Sequence, residues 1–586
     1  MCRFVHLRKV VAVLLVAGVL AGCSTRTYVS ATGSAPPQYT HVYITAQQVW
    51  LSTSALAQPG DGAWSKFTLS EPVTLDLISA SNGTLTRLIG SLRLVPGSYA
   101  QIRLIPADTS AALTDSAKSI GAVYNNEVDY VDNTSVAHQL PLEMLAPESG
   151  IGAQGSLTVP VGGGALPVAT SNSTSNGVSG SSRTLGLGAN APPTIVNFAV
   201  NFNAATDIAL FTYDSQPGAV LNAHAQAFDL AKSGGISGTL TLTNLVNITN
   251  ASARLNISAT AESVSTDGSR HVVILSAPVH ADGTFLLYPL PANNSTKNPT
   301  TYDVVIHGAG IQTMIIKGVQ VPRNSSGSSS STTASTALTA GTATVSVGTL
   351  IPQPASSYDV NLSAAATLPA GAILSLYQTL PGNGEVPYVI EQSTIDPFNN
   401  VLQMNLPVSS GLIQSGSYTP NSDQAITLTN ATPAEGSGSY TVAASATSFT
   451  DGALSSTVST PSSGTVSLAT PAVLAVNGDA VNDSYTATIL QGSAGSYDRG
   501  QLIVSRDGAI IATASLNTAL ATTNGTVTVS GLPGGSTSKS FAAGLYDVSL
   551  RVWNSTDPSG TLQHQYFPAA VDVRSGSVTG AQLTIN

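Results

Sequence analysis

The chain has 586 residues, with 21 basic against 31 acidic side chains and a formal net charge of −10. This acidic balance argues against nucleic acid as a partner, because phosphate backbones attract basic surfaces. Charged residues make up only 9% of the chain, against about 25% in typical soluble domains. The polar surface must therefore come from Ser, Thr, Asn and Gln, which is typical of extracytoplasmic β-proteins, and the length predicts roughly three to five domains.

The first predicted element is a secretory leader. Arg3, Arg8 and Lys9 precede an apolar stretch over residues 10–19, and small residues follow. These are the three parts of a signal peptide. A membrane-spanning helix needs about 20 apolar residues, so this stretch is too short to be one. We therefore predict that residues 1–22 are removed.

The leader ends in Leu20-Ala21-Gly22-Cys23, which resembles the bacterial lipobox. In bacterial lipoproteins the chain is cut before the cysteine, whose sulfur carries a diacylglycerol and whose amino group carries a further acyl chain such as palmitate. The resemblance implies a lipid anchor at Cys23, and Ser24 in place of Asp implies the outer membrane, with the chain facing the periplasm or the cell surface. A plain signal peptide with a chance cysteine is the alternative.

The rest of the chain has the pattern of β-strands. Polar and apolar residues alternate in segments such as Thr239–Thr243, Arg254–Ser258 and Thr526–Ser530, as expected of half-buried strands. Asn-Gly and Asp-Gly pairs, which favour tight hairpins, punctuate these segments. The pattern predicts an all-β fold of serial β-sandwich domains. After loss of Cys2 with the leader and acylation of Cys23, no thiol is left for a disulfide.

Composition shifts divide the chain into segments. We predict a flexible tether at residues 23–39 and a first sandwich at 40–232 with a mobile loop at 162–193. A second sandwich at 234–322 is followed by a Ser/Thr-rich linker at 324–344, a third sandwich at 345–470 and a C-terminal sandwich at 471–586. The tail of the linker, residues 342–347, has the pattern of a strand.

A weak repeat runs through the later chain. Three segments that begin with tyrosine each open a strand, and each is followed by a short closing strand. The pairs are Tyr302-Asp303-Val304 with Val319–Val321, Tyr440-Thr441-Val442 with Val466–Leu468, and Tyr546-Asp547-Val548 with Leu583–Ile585. The pattern fits either three repeated sandwiches in series or features common to all β-sandwiches.

The first domain resembles the bacterial family known as domain of unknown function 4382. The residues that carry the resemblance are Val73–Ile78, Asn82-Gly83, Leu88–Gly90 and above all Pro96-Gly97-Ser98-Tyr99-Ala100-Gln101-Ile102-Arg103-Leu104. It covers about Thr40 to Leu230, and the insertion at residues 162–193 departs from the compact pattern. The family implies no activity.

The second domain resembles the carboxypeptidase regulatory-like, or transthyretin-like, sandwiches. The matching residues are Gly235–Leu240, Asp282–Phe285 and Tyr302–Ile306, whereas the long turn at Ala292–Thr300 departs from the family. That fold is grouped with carbohydrate-binding-like domains, and the resemblance implies a spacer or docking module.

No catalytic motif is present in the sequence: it has no Gly-x-Ser-x-Gly elbow, no His-Glu-x-x-His and no phosphate-binding glycine loop. The seven histidines after the leader lie more than four residues apart, so none forms a local metal-binding pair. We therefore expect a non-enzymatic protein without a cofactor or a metal.

Three features are candidates for binding. The stretch Asn125–Asn133 offers oxygen ligands for Ca²⁺, or it contains an edge strand, 128–132, guarded by charge. Arg103 can grip an anionic ligand or form an internal ion pair, for instance with Asp76. Trp553 falls on the polar face of its strand and can stack on a sugar or cover the sheet against a neighbouring domain.

The sequence as a whole indicates a lipid-anchored cell-envelope protein with a binding, adhesion or spacer role. Its expected partners are the membrane, through the lipid, and a glycan or an envelope protein. The alternatives are a carbohydrate-binding module protein and, more weakly, an extracytoplasmic hydrolase whose catalytic groups come together from distant strands. Fold alone does not decide between them.

Overall fold

The computed structural model describes residues 25–159, 195–242, 257–323, 343–450 and 482–585, with short gaps inside these ranges, and short strands at 458–459, 465–468 and 474–475. Strands make up nearly all of the regular secondary structure in the described chain, and they are divided among several separate sheets. The predicted all-β fold of serial β-sandwiches is confirmed. No helix in these ranges is long and apolar enough to cross a membrane. The leader, Cys23, the predicted loop at 162–193 and most of the predicted linker lie outside the described residues.

The first domain is built on a 12-stranded sheet with the order β10-β11-β7-β6-β2-β5-β8-β12-β9-β1-β4, in which β3 pairs with β2. Its strands are β1 (Thr25–Ser34), β2 (Tyr39–Ser52), β3 (Trp64–Asp76), β4 (Thr86–Leu94), β5 (Gly97–Pro106), β6 (Glu127–Val131), β7 (Ala137–Glu143), β8 (Ile151–Val159), β9 (Ile195–Asn203), β10 (Ile208–Tyr213), β11 (Gln216–Leu221) and β12 (Gln226–Asp229). The sheet encloses one apolar core to which nearly all of these strands contribute.

The prediction of a flexible tether over residues 23–39 is wrong for most of its length. β1 begins at Thr25 and pairs with β9 in parallel and with β4 in antiparallel. Its side chains at Thr27, Val29 and Ala31 are fully buried. The Ser, Thr and Ala composition that suggested a linker belongs to an inner strand, where small side chains pack closely against both neighbours.

Three further sandwiches follow. The second contains β13 (Ser233–Leu240), β14 (Ile257–Val264), β15 (His271–Pro278), β16 (Thr284–Pro291), β17 (Thr301–Gly308), β18 (Met314–Gln320) and β19 (Thr344–Leu350). The third contains β20 (Ser356–Ala364), β21 (Ile373–Gln378), β22 (Tyr388–Thr394), β23 (Leu406–Ser410), β26 (Ser439–Ser445), β28 (Val458–Ser459) and β29 (Thr465–Leu468). The fourth contains β31 (Asn482–Gln491), β32 (Arg499–Arg506), β33 (Ala509–Ser515), β34 (Thr526–Pro533), β35 (Leu545–Trp553), β36 (His564–Tyr566), β37 (Val571–Asp572) and β38 (Val578–Ile585).

Additional strands and short helices complete the fold. The strands are β24 (Ile413–Ser417), β25 (Thr429–Ala431), β27 (Phe449–Thr450) and β30 (Leu474–Ala475). The helices are α1 (Asp115–Ser119), α2 (Ala204–Asp207), α3 (Asn517–Leu520) and the 3₁₀ turn Leu230–Lys232.

The three later sandwiches share one strand topology. One sheet has the order β16-β13-β19 in the second sandwich, β23-β20-β29 in the third and β34-β31-β38 in the fourth. In each, the first strand of the sandwich lies between its fourth strand and its last. In each case the first and last strands are parallel. The other sheet has the order β15-β14-β17-β18, β22-β21-β26-β28 or β33-β32-β35-β36. The later chain therefore contains three sandwiches of one topology, which agrees with both interpretations of the repeated sequence pattern.

The boundary between the second and third sandwiches differs from the prediction. β19 pairs with β13, and Val347 and Leu350 lie in the second core, so the segment assigned to the third sandwich from residue 345 completes the second. The predicted closing strand at Val319–Val321 is instead the end of β18 and the residue after it. The hairpin β24–β25 also leaves the third sandwich and extends the second through β18.

The repeated tyrosines anchor the same corner in two of the sandwiches. The hydroxyl of Tyr302 donates to the carbonyl of Pro291, at the end of β16, at 2.7 Å. The hydroxyl of Tyr546 donates to the carbonyl of Pro533, at the end of β34. Each bond ties the fifth strand of a sandwich to the end of its fourth, which explains why the tyrosine recurs in the sequence.

Candidate functional site

Buried ionisable groups gather where the second and third sandwiches meet. β14 alternates, with Ala259 and Ala261 in the second core and Thr260 and Glu262 on the opposite face. That face is covered by the third sandwich, because the backbone N–H of Val389 in β22 donates to Glu262 Oε2 at 3.0 Å. An outward-facing polar position in one sandwich thus becomes part of a buried contact between two.

Glu262 is fully buried. Its Oε1 lies 2.9 Å from the hydroxyl of Thr260, and its Oε2 accepts from Val389. Burial raises the pKa of Glu262 to about 8, although both hydrogen bonds oppose the rise, and the neighbouring Asp303 raises it further. The carboxyl is therefore held largely in its neutral form at pH 7.

Asp303, on β17, is the ionised member of the group. Its Oδ2 lies 3.3 Å from His271 Nε2 and accepts from the hydroxyl of Tyr388 at 2.9 Å, and its Oδ1 accepts from the N–H of Gly318 at 2.7 Å. Burial opposes ionisation, but these hydrogen bonds outweigh it and lower the pKa of Asp303. The rings of His271 and Tyr388 stack with their centroids 3.9 Å apart, so this ring pair and the hydrogen bond from Tyr388 to Asp303 both join the two sandwiches.

A small polar cleft adjoins this contact. His307 Nδ1 lies 2.9 Å from Glu391 Oε1 at its wall, and Ser34, Tyr39 and Asn203 of the first domain close the other side. The cleft has a volume of about 90 Å³, whereas sites for small-molecule ligands typically have about 300–1,000 Å³. Its size suits a few water molecules rather than a sugar or a peptide side chain.

The cluster does bring carboxylates and histidines together from distant strands, as the hydrolase alternative requires. Glu262 and His271 are, however, buried, Asp303 is mostly buried, and each is hydrogen-bonded within the contact. A general acid or base must come within hydrogen-bond reach of a substrate atom, and the cleft leaves little room for one. The arrangement therefore suits joining two domains better than chemistry.

A second buried contact joins the first domain to the fourth sandwich. Arg551 Nη2 of β35 lies 2.9 Å from Glu143 Oε1 of β7, and both side chains are nearly inaccessible. Burial raises the pKa of Glu143 to about 7, and the positive charge of Arg551 opposes that rise. The guanidinium also lies 4.7 Å from the ring of Phe211 and 5.2 Å from the ring of Trp553.

Trp553 is the candidate sugar-binding residue, and the structure leaves its side chain 9% exposed. The predicted split of β35 is confirmed for its apolar face, since Tyr546, Val548 and Leu550 all lie in the fourth core. The opposite face, which carries Trp553 and Arg551, lies against the first domain. This position matches the alternative in which the tryptophan covers the sheet against a neighbouring domain.

Asn222 of the first domain links three parts of the chain at this junction. Its Nδ2 donates to the carbonyl of Gly371, before the third sandwich's β21, at 3.2 Å. Its Oδ1 accepts from the N–H of Ile510 in β33 at 2.8 Å. Gly371 packs so closely that a Cβ there would lie 2.0 Å from the carbonyl oxygen of Ile510, so the junction requires glycine.

Arg103, the candidate anion-binding residue, is fully buried in β5. Its Nη2 donates to the carbonyl of Ala57 at 3.1 Å, and its guanidinium lies 4.9 Å from the ring of Trp64. The suggested pairing with Asp76 is wrong, because Asp76 lies opposite Tyr43 and Arg103 lies opposite Trp50, seven positions further along β2. The burial of Arg103 favours a structural role in the first domain.

The acidic stretch Asn125–Asn133 does not end in an edge strand, because β6 lies between β2 and β7. That interpretation is wrong. Glu127 Oε2 accepts from the N–H groups of Val123 and Tyr124 at 2.6 and 2.7 Å, which holds the preceding loop. In the described part of the chain, no three His, Cys, Asp or Glu side chains are grouped so as to hold a metal ion.

Sequence reasoning missed Glu143, Asn222 and Glu262 because nothing in their neighbourhoods marks them. It also missed the carboxylates that contact four of the histidines. The pairs are His41–Asp76, His138–Asp132, His271–Asp303 and His307–Glu391. Local spacing cannot reveal such pairs, because all but one join different strands or different domains.

Comparison with known proteins identifies the first domain alone. Residues 28–210 match the family described as a domain of unknown function (DUF4382), which confirms the resemblance predicted for this region. No curated protein matches the chain.

Solved structures with some similarity include the Bacillus anthracis TIE protein, at 8% identity over 95% of this chain and 73% of that chain, with a TM-score of 0.13. The shaft pilin SpaA from Lactobacillus rhamnosus GG is 9% identical over 39% of this chain and 97% of that chain, with a TM-score of 0.15. A streptococcal ancillary pilin is 9% identical over 59% and 98%, with a TM-score of 0.13. These similarities are too distant to assign a function.

Proposed function

We propose that this protein is a lipid-anchored, non-enzymatic spacer of the bacterial cell envelope that holds a binding surface at a fixed distance from the outer membrane. The lipobox-like segment ending at Cys23 supports the anchor. The resemblance of residues 234–322 to carboxypeptidase regulatory-like sandwiches supports a docking or spacer module. The ligand to be presented is a glycan or an envelope protein, and no cofactor takes part.

The single observation that carries the proposal is that the domains are joined through buried polar contacts. Domains within one chain ordinarily move relative to one another unless their interface is extensive. Here Glu143–Arg551 joins the first domain to the fourth sandwich, and Glu262 and Asp303 join the second to the third. If the domains separated, each of these contacts would be lost, and the charged groups and donors that they bury would have to be hydrated instead. We therefore expect the joined domains to move as one body.

The direction of β1 gives the spacer its length. The strand starts at Thr25, two residues after Cys23, and ends at Ser34, which lines the cleft shared with the second and third sandwiches. A strand rises about 3.3 Å per residue, so ten residues separate its ends by roughly 30 Å. The first domain thus stands between the anchor and the contact of the second and third sandwiches.

The anchor is tested by metabolic labelling of cells with an alkyne analogue of palmitate. We expect label on the wild-type protein and none on Cys23→Ala, with the variant leaving the membrane fraction. Equal labelling of both proteins, or none of either, would reject the anchor at this residue. Protease treatment of intact cells then decides whether the domains face the periplasm or the outside.

Rigidity is tested by distance measurement between paired spin labels, since the mature chain offers no other free thiol. Ala281→Cys with Thr523→Cys places labels on exposed turns of the second and fourth sandwiches. Val264→Cys with Ala281→Cys is the control within one sandwich. We expect distance distributions of similar width for the two pairs. A much broader distribution for the first pair would show independent domains and overturn the spacer proposal.

A further inference from the structure

We propose that the end of the first domain formed by the start of β1, the end of β4 and the turn between β4 and β5 lies against the phospholipid surface, so that the first domain has a defined orientation on the membrane. This proposal rests on the lipid anchor proposed above. It adds a second contact, made by protein side chains, to the one made by the acyl chains.

The register of the strands places this end of the domain beside the anchor. Thr25 is opposite Leu94, and Arg26 is opposite Arg93, so the beginning of β1 lies next to the end of β4. An extended chain spans at most about 3.6 Å per residue, which keeps Cys23 within roughly 7 Å of Thr25. Any membrane that holds the acyl chains must therefore lie close to the turn that follows Leu94.

The tip of this turn is apolar and exposed. Val95 is 68% exposed, the highest value among the large hydrophobic side chains in the described ranges. Pro96 follows it and is half-buried. A single exposed valine is ordinary on a soluble surface, but here it lies at the end of the domain that the anchor fixes to the bilayer. Insertion at the headgroup level would cover it.

Two arginines flank the tip. Arg26 and Arg93 are exposed and lie opposite each other at the start of β1 and the end of β4. Arg87 lies at the far end of β4, opposite Ser30. β1 and β4 contain no Asp or Glu, although acids outnumber bases by 31 to 21 in the whole chain. Arginines near an anionic leaflet are each attracted to its phosphates, and planar guanidinium groups bind phosphate oxygens bidentately.

Arginines on the edge strand β4 can also serve only to prevent pairing with another chain. That role predicts no relation to the anchor, whereas Arg26, Arg93 and the exposed Val95 lie together beside the beginning of β1. The charge and the apolar tip are complementary to phospholipid headgroups. The two explanations give different results in a membrane.

The test uses the full lipidated protein reconstituted in vesicles of phosphatidylethanolamine with phosphatidylglycerol. Val95→Cys carries an environment-sensitive fluorophore, and Val264→Cys, an exposed valine of the second sandwich, carries the same fluorophore as the control. Lipids with a spin label on the headgroup act as quenchers. We expect strong quenching and a blue shift at position 95, and neither at position 264. No quenching at position 95, or equal quenching at both, would overturn the proposal.

A second comparison tests the arginines. With the label at position 95, the combined variant Arg26→Gln with Arg93→Gln should lose most of the quenching in anionic vesicles, whereas Arg87→Gln, at the far end of β4, should keep it. High salt should have the same effect on the unsubstituted arginines. Quenching that persists unchanged in the variant would assign the contact to the anchor alone and remove the arginines from the proposal.

Flotation of the vesicles separates this proposal from the proposed anchor. A protein that fails to float with the vesicles has no functional anchor, and the proposed function fails first. A protein that floats but shows no quenching at position 95 keeps its anchor and has no oriented face.

Discussion

The two buried contacts between domains manage the cost of burying a carboxyl group in different ways. Glu143 faces the fixed positive charge of Arg551, which opposes the rise in its pKa. Glu262 faces a backbone N–H and a hydroxyl, and its charged neighbour Asp303 raises its pKa further. In the first contact the carboxyl group of Glu143 is therefore balanced by the cation Arg551, whereas in the second contact the carboxyl group of Glu262 is accommodated by staying protonated. The difference teaches that equally buried acids can respond oppositely to mutation and pH.

The largest expected effect comes from removing the cation. Arg551→Ala leaves Glu143 buried without its partner and removes the guanidinium from the ring of Phe211. Loss of one member of a buried ion pair costs about 3–5 kcal/mol. Urea unfolding followed by tryptophan fluorescence measures the loss. The exposed pair Arg574–Asp572 gives the control, because Arg574→Ala should cost less than about 1 kcal/mol.

The double variant Glu143→Gln with Arg551→Ala sharpens that result. It leaves no charge in the contact, so it should recover part of the stability lost by Arg551→Ala alone. Losses that simply add would show that the two side chains do not interact and would remove the ion pair from the account.

Replacing Glu262, the acid that stays protonated, should raise the free energy of unfolding rather than lower it. Glu262→Gln mimics the neutral carboxyl, and its amide can still accept from Val389 and donate to Thr260. Because burial raises the folded pKa from the ordinary 4.5 to about 8, the folded protein binds the proton more tightly than the unfolded chain. Stability is then lost as the pH rises from about 4.5 to about 8, at about 1.4 kcal/mol per pH unit. The variant should be more stable than wild type by about 3 kcal/mol at pH 7.

Free energies of unfolding of the two proteins at several pH values check this prediction. The difference should be small below pH 5, grow between pH 5 and 8, and stay constant above. A difference that does not change with pH would mean that Glu262 titrates normally, and the contrast between the two contacts would collapse.

Removing the side chain of Asn222, an uncharged link between domains, should change the free energy of unfolding less than either substitution above. Asn222→Ala leaves the buried N–H of Ile510 and the carbonyl of Gly371 without their side-chain partner. Buried groups that lose a hydrogen bond cost about 1–3 kcal/mol, and we expect about 2 kcal/mol here. Asn293→Ala, in an exposed turn, is the matched control and should cost under about 1 kcal/mol. Similar losses for the two variants would show that the junction is loosely packed.

The smallest expected effect lies inside the sandwiches. Tyr302→Phe and Tyr546→Phe each remove one hydroxyl that donates to a proline carbonyl. Each should lower the free energy of unfolding by about 1 kcal/mol. Tyr418→Phe, at the edge of the second core, should change it by less than about 0.5 kcal/mol. If these substitutions left the free energy of unfolding unchanged, the repeated tyrosine would contribute through packing alone and not through its hydroxyl group.

The sequence predicted the fold better than the site. Alternation along segments such as residues 526–530 and the paired turn signals were enough for an all-β chain of sandwiches, and the recurring Tyr302, Tyr440 and Tyr546 indicated the repeat. The composition of residues 23–39 misled, because small polar residues are common both in linkers and in closely packed inner strands. The boundary at residue 345 was misplaced because nothing local shows which first strand a closing strand will join.

What the sequence determined by itself is therefore whatever depends on neighbours along the chain: strand periodicity, hairpin turns, the lipobox-like segment and the inward face of β35. The tertiary structure alone decided which outward faces are covered. Glu262 and Trp553 occupy positions that alternation assigns to the outer face of a sheet, and both are buried because another domain packs there. Contacts between residues 127 or more positions apart depend on how whole domains dock, and a periodicity of two residues carries no information about that.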